Sequence, residues 1–281
     1  MATTDAPKVA LVTGGAVGIG RAAVTSLAEN GYLVFSASLG HTDSRAEHEN
    51  VVPMAMDVTE RRSVEAAVST VMTRAGRVDL LVNAAGAYLS GAVEETNDEE
   101  AEQVFAVNLF GVMRVTRAVL PIMRRQRSGR IVNLATLSGM VAVPFAGVFS
   151  ASKAALEGYS EALRHEVRPF GVWVSVIQSG GARTGADRRT AQATPLPAYA
   201  PFRDSAITGL RDRGQNGMAP EVVARAVLRI AASNAPALRV RVGREAKQLR
   251  WFSALLPQGA FEAGTRRAFR IPSSAVSGTS S

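Results

Sequence analysis

Cysteine is absent from the 281-residue chain, which removes disulfide scaffolds, thiol nucleophiles and thiolate metal sites. Histidine is almost absent: His41, His48 and His165 are scattered, with no spacing that suits a zinc site. Proline, at 12 residues, is too sparse for a fibrous or mucin-like chain, and the 25 glycines follow no collagen period. The start, Met1 to Lys8, has no basic segment followed by an apolar one, and no stretch approaches ~18 uninterrupted apolar residues. A cytoplasmic protein without stable membrane association is therefore expected. Lysine is scarce as well, since Lys8, Lys153 and Lys247 are the only lysines among 32 basic residues. Lys153 then needs its own explanation, because arginine's wide fork cannot replace a compact ammonium.

What is present is a chain with 47% hydrophobic and 20% charged residues, enough to bury a sizeable core. Its length fits one large α/β domain. The net charge of +8 is unevenly placed. Residues 1–180 carry 16 basic and 18 acidic residues, giving −2, whereas 181–281 carry 16 and 6, giving +10. Such a half either steers an anionic partner or forms a solvated arginine-rich surface. No helix-turn-helix, finger or aromatic-interleaved basic motif points to nucleic acid.

Apolar runs alternate with helical patterns along the chain. Val9 to Val12 reads as a strand, Ile19 to Asn30 as a helix, Leu33 to Phe35 and Val51 to Met56 as strands, and Thr59 to Arg74 as a helix with a capping residue at its start. Leu80 to Val82, a long helix from Asn97 through Met123, Ile131 to Leu134, a helix from Ser150 to Val167, and Val172 to Ile177 continue the alternation. The pattern predicts a doubly wound α/β fold, a parallel sheet with helices on both faces in a single domain. Residues 8–184 would form a dinucleotide-binding core and 185–270 a substrate-binding loop, helix and C-terminal region, with 271–281 a frayed tail. From Thr184 to Gly217 the sequence reads as a long irregular loop, the usual form of a lid. Pro220 to Ala232 then reads as a helix and Leu238 to Val242 as a last strand, while Trp251 to Pro257 suits core packing or an amphipathic contact.

The segment Thr13-Gly14-Gly15-Ala16-Val17-Gly18-Ile19-Gly20 follows the first strand and opens the first helix. Glycines in that context permit a tight turn and let backbone amides approach a pyrophosphate at the positive end of the helix. An NAD-type site also places a carboxylate at the end of the second strand, where it holds the ribose 2′-hydroxyl and repels a 2′-phosphate. Here that position is Ser38, followed by Leu39, with His41 and Arg45 close in sequence. NADP(H) is expected as the cofactor.

With these residues the chain resembles the short-chain dehydrogenase/reductase family, whose cofactor loop is TGxxxGxG. Asp57-Val58 matches the family's adenine-contacting pair, Asn83-Ala84-Ala85-Gly86 its turn after the fourth strand, Asn108 its helix asparagine, and Thr184 its threonine at the nicotinamide carboxamide. The resemblance implies a Rossmann-type fold, a nicotinamide cofactor contacted by Gly14, Ala16, Val17, Gly18, Ile19, Gly20 and the residues just named, and a homo-oligomer built through the two long helices. It also implies a serine in the loop after the fifth major strand and, 13 residues on, the tyrosine of a Tyr-x-x-x-Lys motif. Here the two slots hold Thr136 and Phe149 (149 − 136 = 13), with Lys153 in place. In the family the phenol protonates the carbonyl oxygen while the lysine lowers its pKa and binds the nicotinamide ribose. Phenylalanine has no proton to give.

Neither neighbouring hydroxyl is a good substitute. Tyr159 lies ten residues beyond Phe149, ~15 Å along a helix, and the alcohol of Ser138 is a weak acid. Gln178-Ser179-Gly180 also replaces the family's usual Pro-Gly pair. Three functions stay open: a ketoreductase whose substrate supplies its own proton, a cofactor-binding protein without redox turnover, and a redox-neutral cyclase or dehydratase. An aromatic polyketide-type ketone with a peri-hydroxyl suits the first, because its phenol already hydrogen-bonds the carbonyl oxygen.

Overall fold

The computed structural model describes residues 6–40, 48–183, 191–243 and 257–271. Nine strands are described: β1 (Val9–Thr13), β2 (Leu33–Ser38), β3 (Val51–Ala55), β4 (Leu80–Asn83), β5 (Leu89–Ser90), β6 (Gly129–Thr136), β7 (Val172–Ser179), β8 (Ala191–Gln192) and β9 (Arg239–Val242). The described helices are α1 (Gly18–Glu29), α2 (Arg61–Ala75), α3 (Asp98–Phe105), α4 (Val112–Gln126), α5 (Gly147–Val167), α6 (Ala200–Gln215), α7 (Pro220–Ala232) and α8 (Gln258–Ala268). Seven strands form one parallel sheet in the order β3-β2-β1-β4-β6-β7-β9, and β5 pairs with β8 apart from it. This is the expected single-domain, doubly wound α/β architecture. Its strand order reverses between β1 and β4, and a crevice at the carboxyl ends of the strands is where such folds bind ligands.

Side chains alternate across the sheet, so each long strand serves two cores. Leu11, Leu81 and Ile131 face α2, α4 and α5 through Val68, Val71, Val115, Val119, Met123 and Leu163. Ala10, Val12, Val82 and Val132 face α1 and α7 through Val24, Leu27, Val223, Val227 and Ile230. Near-continuous burial along β1, β4 and β6 follows from this two-sided cover.

Several element boundaries depart from the sequence reading. The long helix through Met123 is interrupted: Ala106–Gly111 adopts a π-helical turn between α3 and α4. Thr59 does not cap α2, because its amide and hydroxyl both bond Asp57 Oδ1 at 2.8 and 2.7 Å, and the helix starts at Arg61. The expected irregular lid contains α6. Its sequence periodicity is weak, but tertiary contacts organise it: Arg203 forms a buried ion pair with Glu95 at 3.1 Å, and Ala206 and Ile207 are buried beside Phe145. Glu95 also accepts from the amides of Ala92 and Leu196 at 2.7 and 2.9 Å, clasping the α6 segment to the start of α3. Trp251 to Leu256, the tail from Pro272 and the cofactor-contact expectation at Thr184 lie outside the described residues, as do His41, Arg45 and, in the basic C-terminal portion, Arg188 and Arg189.

The turn between β1 and α1 is held by close backbone contacts. Gly14 and Gly18 have φ values of 65° and 54°, in the left-handed region that favours glycine. A Cβ at Gly14 would lie 2.8 Å from the Ala85 amide nitrogen, and one at Gly20 would overlap the Gly14 carbonyl oxygen. Gly20→Ala should therefore force the loop and α1 apart and lower stability by about 1–3 kcal/mol, read as a lower urea midpoint of the cofactor-free protein. An unchanged midpoint would show that the loop has slack.

Candidate active site

The glycine loop, the turn after β4, the π-helical turn and the start of α5 converge at the carboxyl edge of the sheet. Thr13 is buried, and its Oγ1 accepts from the amides of Ala84 and Ala85, both at 3.1 Å, so one hydroxyl fixes the β4 turn against the loop. Ala16 N donates to Ser38 Oγ at 3.0 Å. Ser38 thus pins the glycine loop. The side chain exposed beyond it is Leu39, which is 77% accessible and carries no charge.

Helix α1 begins at Gly18 with Val17 at its N-cap, without a side-chain cap and without an acid in its first turn. Its first amides and the positive end of its dipole are left for an anion, and the loop glycines keep Cβ atoms out of the approach. Asp57 Oδ1 bonds Thr59, while Val58 packs against Gly111, where an added Cβ would meet Val58 Cγ2 at 2.8 Å. Gly86 is exposed, and a Cβ there would stand 3.4 Å from Asn108 Oδ1 and 3.8 Å from Lys153 Nζ. The residues present therefore fit a dinucleotide running from Asp57 over the loop to Gly86.

Asn108 sits fully buried within the π-helical turn. Its Oδ1 accepts from Ala87 N at 2.9 Å, and its Nδ2 donates to Ala87 O and to Ser152 Oγ, each at 2.9 Å. Ser152 Oγ in turn donates to Phe149 O at 2.7 Å. Four residues along α5, Lys153 is buried and gives one hydrogen bond, to Leu134 O at 3.0 Å. Its Nζ stands 5.9 Å from the centre of the Phe149 ring. Burial pulls its ammonium down from 10.5 to about 8.

The Phe149 ring packs on Tyr88, with centroids 4.6 Å apart and planes inclined at 59°. Burial pushes the Tyr88 phenol up to about 12. Thr136, at the end of β6, accepts from Ser138 N at 3.2 Å, and the two hydroxyls are 3.4 Å apart. Asn108, Phe149, Lys153 and Gly86 are thus brought together, and Thr136 lies on the adjoining strand end. Tyr159 is elsewhere, packed against the core on the α4 side.

Sequence reasoning missed Tyr88 and Ser152. Tyr88 stands two residues after Gly86, and a phenol just past the carboxyl end of a central strand was the signal available. At the position of the family's Pro-Gly pair, Gln178 is turned inward, its Nε2 bonding both carboxylate oxygens of Glu157 at 2.9 and 2.8 Å. In the basic C-terminal portion, Arg203 pairs with Glu95 and Arg239 with Glu157 and Glu161, whereas Arg183 is exposed. The pairing of these two arginines takes part of the +10 away from any substrate.

The family model for short chain dehydrogenases matches residues 8–194. The chain belongs to the short-chain dehydrogenase family. It is 35% identical over 243 residues to the 3-ketodihydrosphingosine reductase of Bacteroides thetaiotaomicron, covering 84% of this chain and 88% of that protein. A short-chain dehydrogenase from Burkholderia cenocepacia solved in complex with NADP aligns at TM-score 0.74 and 28% identity, covering 92% of this chain and 97% of that one. One from Burkholderia phymatum in complex with NAD aligns at TM-score 0.77 and 26% identity, covering 92% and 95%. This short-chain dehydrogenase is accordingly an oxidoreductase of the CH–OH/C=O type by family, with a nicotinamide dinucleotide fitting its glycine loop.

Lys153 gives the site a pH signature. Its folded pKa of about 8 lies below the ordinary 10.5, so between those values the unfolded chain holds more protons than the folded one. Stability contributed by this group therefore rises with pH across that window. A ligand that uses the ammonium binds more weakly over the same rise. From pH 7 to 9 the NADP(H) dissociation constant should increase while the urea midpoint of the cofactor-free protein gains relative to Lys153→Met. Identical pH profiles in the two proteins would show that Lys153 does not titrate there.

Proposed function

We propose that this protein is an NADPH-dependent ketoreductase of an aromatic polyketide-type ketone, in which the substrate's own peri-hydroxyl supplies the proton. The observation that carries the reading is Phe149 beside Lys153: the site keeps a buried ammonium and Asn108 but has no acid at position 149. A bound reduced nicotinamide supplies hydride to the carbonyl carbon. The carbonyl oxygen must gain a proton as that occurs, and losing a general acid typically costs ~10²–10⁴ in rate. A peri-phenol is already hydrogen-bonded to that oxygen. Its O–H bond breaks as the new O–H forms, and the resulting phenolate, of ordinary pKa ~10, is reprotonated by water.

The tilted ring pair of Tyr88 and Phe149 supports a flat substrate, since an aromatic wall gains from offset or tilted contact with a further ring. NADP(H) is preferred over NAD(H) in this reading because Ser38 and Leu39 put no carboxylate against a 2′-phosphate. The C-terminal region from α6 onward covers the substrate, Thr136 offers a hydroxyl to the ketone, and the exposed Arg183 can meet an acidic or polyoxygenated group. Within the same reading the protein works in the cytoplasm as a homo-oligomer through the α3–α4 and α5 helices, where Phe110 is 46% exposed, without nucleic acid or membrane partners.

Following NADPH absorbance with a peri-hydroxytetralone and its methyl ether tests the reading. The wild-type protein should reduce the free phenol and lose at least about 100-fold in kcat on the ether. Phe149→Tyr should add little with the phenol and recover part of the ether's activity. Equal rates on both ketones would place the proton source in the protein or solvent. Tight NADP(H) binding with no reduction of any ketone would favour the role without redox turnover.

A further inference from the structure

Tyr88 is a phenol that the family's tyrosine motif does not account for. It follows Ala87, whose amide and carbonyl are both clamped by Asn108 at 2.9 Å, so its backbone is fixed by the same carboxamide that reaches Phe149 through Ser152. Its ring lies against Phe149, 4.6 Å between centroids, and the Phe149 ring lies 5.9 Å from Lys153 Nζ. The side chain is half-buried, and among the described residues its hydroxyl has no hydrogen-bond partner. A hydroxyl beside the site that is not sealed in the core and has no acceptor among the described residues is open to a bound ligand.

We infer that the Tyr88 hydroxyl donates a hydrogen bond to the substrate's peri-oxygen and stabilises the phenolate that forms when that oxygen gives up its proton. The inference rests on the substrate-assisted reading and adds to it a catalytic residue acting beside, rather than within, the family's motif. The direction of its ionisation agrees. Burial holds the Tyr88 phenol at about 12, above the ordinary phenol value of ~10, so the proton stays on Tyr88 and the residue serves as donor, not as acid. No bond is made or broken at Tyr88: the substrate's phenolic proton moves to the carbonyl oxygen, and the negative charge left behind meets a fixed O–H. Such a donor acts where charge develops, which favours kcat over ground-state binding.

The test uses Tyr88→Phe, which keeps the ring contact with Phe149 and removes only the hydroxyl. Turnover of a peri-hydroxytetralone should fall by about 10- to 100-fold in kcat, the effect of one hydrogen bond to a charged group, with NADP(H) affinity unchanged. A readout without turnover separates this inference from the reading beneath it. The alcohol product is bound to the protein saturated with NADP⁺, and its phenol is titrated by ultraviolet absorbance. In the wild-type complex the bound phenol should ionise about one unit or more below its pKa in the Tyr88→Phe complex. Equal ionisation in the two complexes would overturn the role of Tyr88 even if the wild-type protein reduces the ketone. A lowered phenol pKa without any turnover would retain it and discard the reductase reading. A loss in substrate affinity alone, with kcat and the phenol pKa unmoved, would also overturn it by reducing Tyr88 to a packing contact.

Discussion

A buried carboxamide has two donors and two acceptor lone pairs to satisfy, and inside a protein each one left open costs about as much as a hydrogen bond. Asn108 satisfies three of these four by holding both polar backbone groups of Ala87 and the hydroxyl of Ser152. Three segments distant in sequence are thereby fixed to one side chain: the turn after β4, the π-helical turn between α3 and α4, and the first turns of α5. Tyr88 is carried by the first and Phe149 and Lys153 by the last. The extra residue of a π-helical turn re-aims the side chains of a helix that would otherwise run straight, and such turns are frequent at functional sites. Here it puts a polar residue at the centre of a helix whose next two turns are committed to the core by Val112, Val115 and Val119.

In the proposed reading, phenylalanine at position 149, where the family's motif has tyrosine, leaves that framework in place and changes its chemistry. Position 149 still touches Tyr88 and stands close to Lys153, so packing is kept while the acid is removed. A lysine that in the family assists a phenol then has one backbone acceptor, Leu134 O, and an aromatic face beside it. Burial lowers its ionisation, and among the described residues no anion offsets it. The remaining acid chemistry has to come from a group that the chain does not place at 149.

Much of the fold was legible because its signals are local. The strand, glycine turn and helix from Val9 to Glu29 follow from one apolar run and the steric freedom of Gly14 and Gly18. The alternation of strands and helices up to β7 fixed a parallel sheet without any long-range information. What escaped depends on distant contacts. Helix α6 is organised by an ion pair between residues 108 positions apart (203 − 95), and the short pairing of β5 with β8 joins segments about as far separated. The π-helical turn could not be read from a periodicity that stays helical on both sides of it. In the site, the missing tyrosine was visible by counting from Thr136, but Tyr88 was not, because its relation to Phe149 exists only once Asn108 has drawn the β4 turn against α5.

The central claim is that this site transfers hydride to a ketone although position 149 has no proton to offer. Following the label from NADPH deuterated at the transferring carbon of the nicotinamide tests it most directly. The account predicts deuterium at the carbinol carbon of the peri-hydroxytetralone product, with little or no labelled alcohol formed from the methyl ether in the same time. Saturating, tightly bound NADPH that leaves the carbinol carbon of every ketone unlabelled would contradict it.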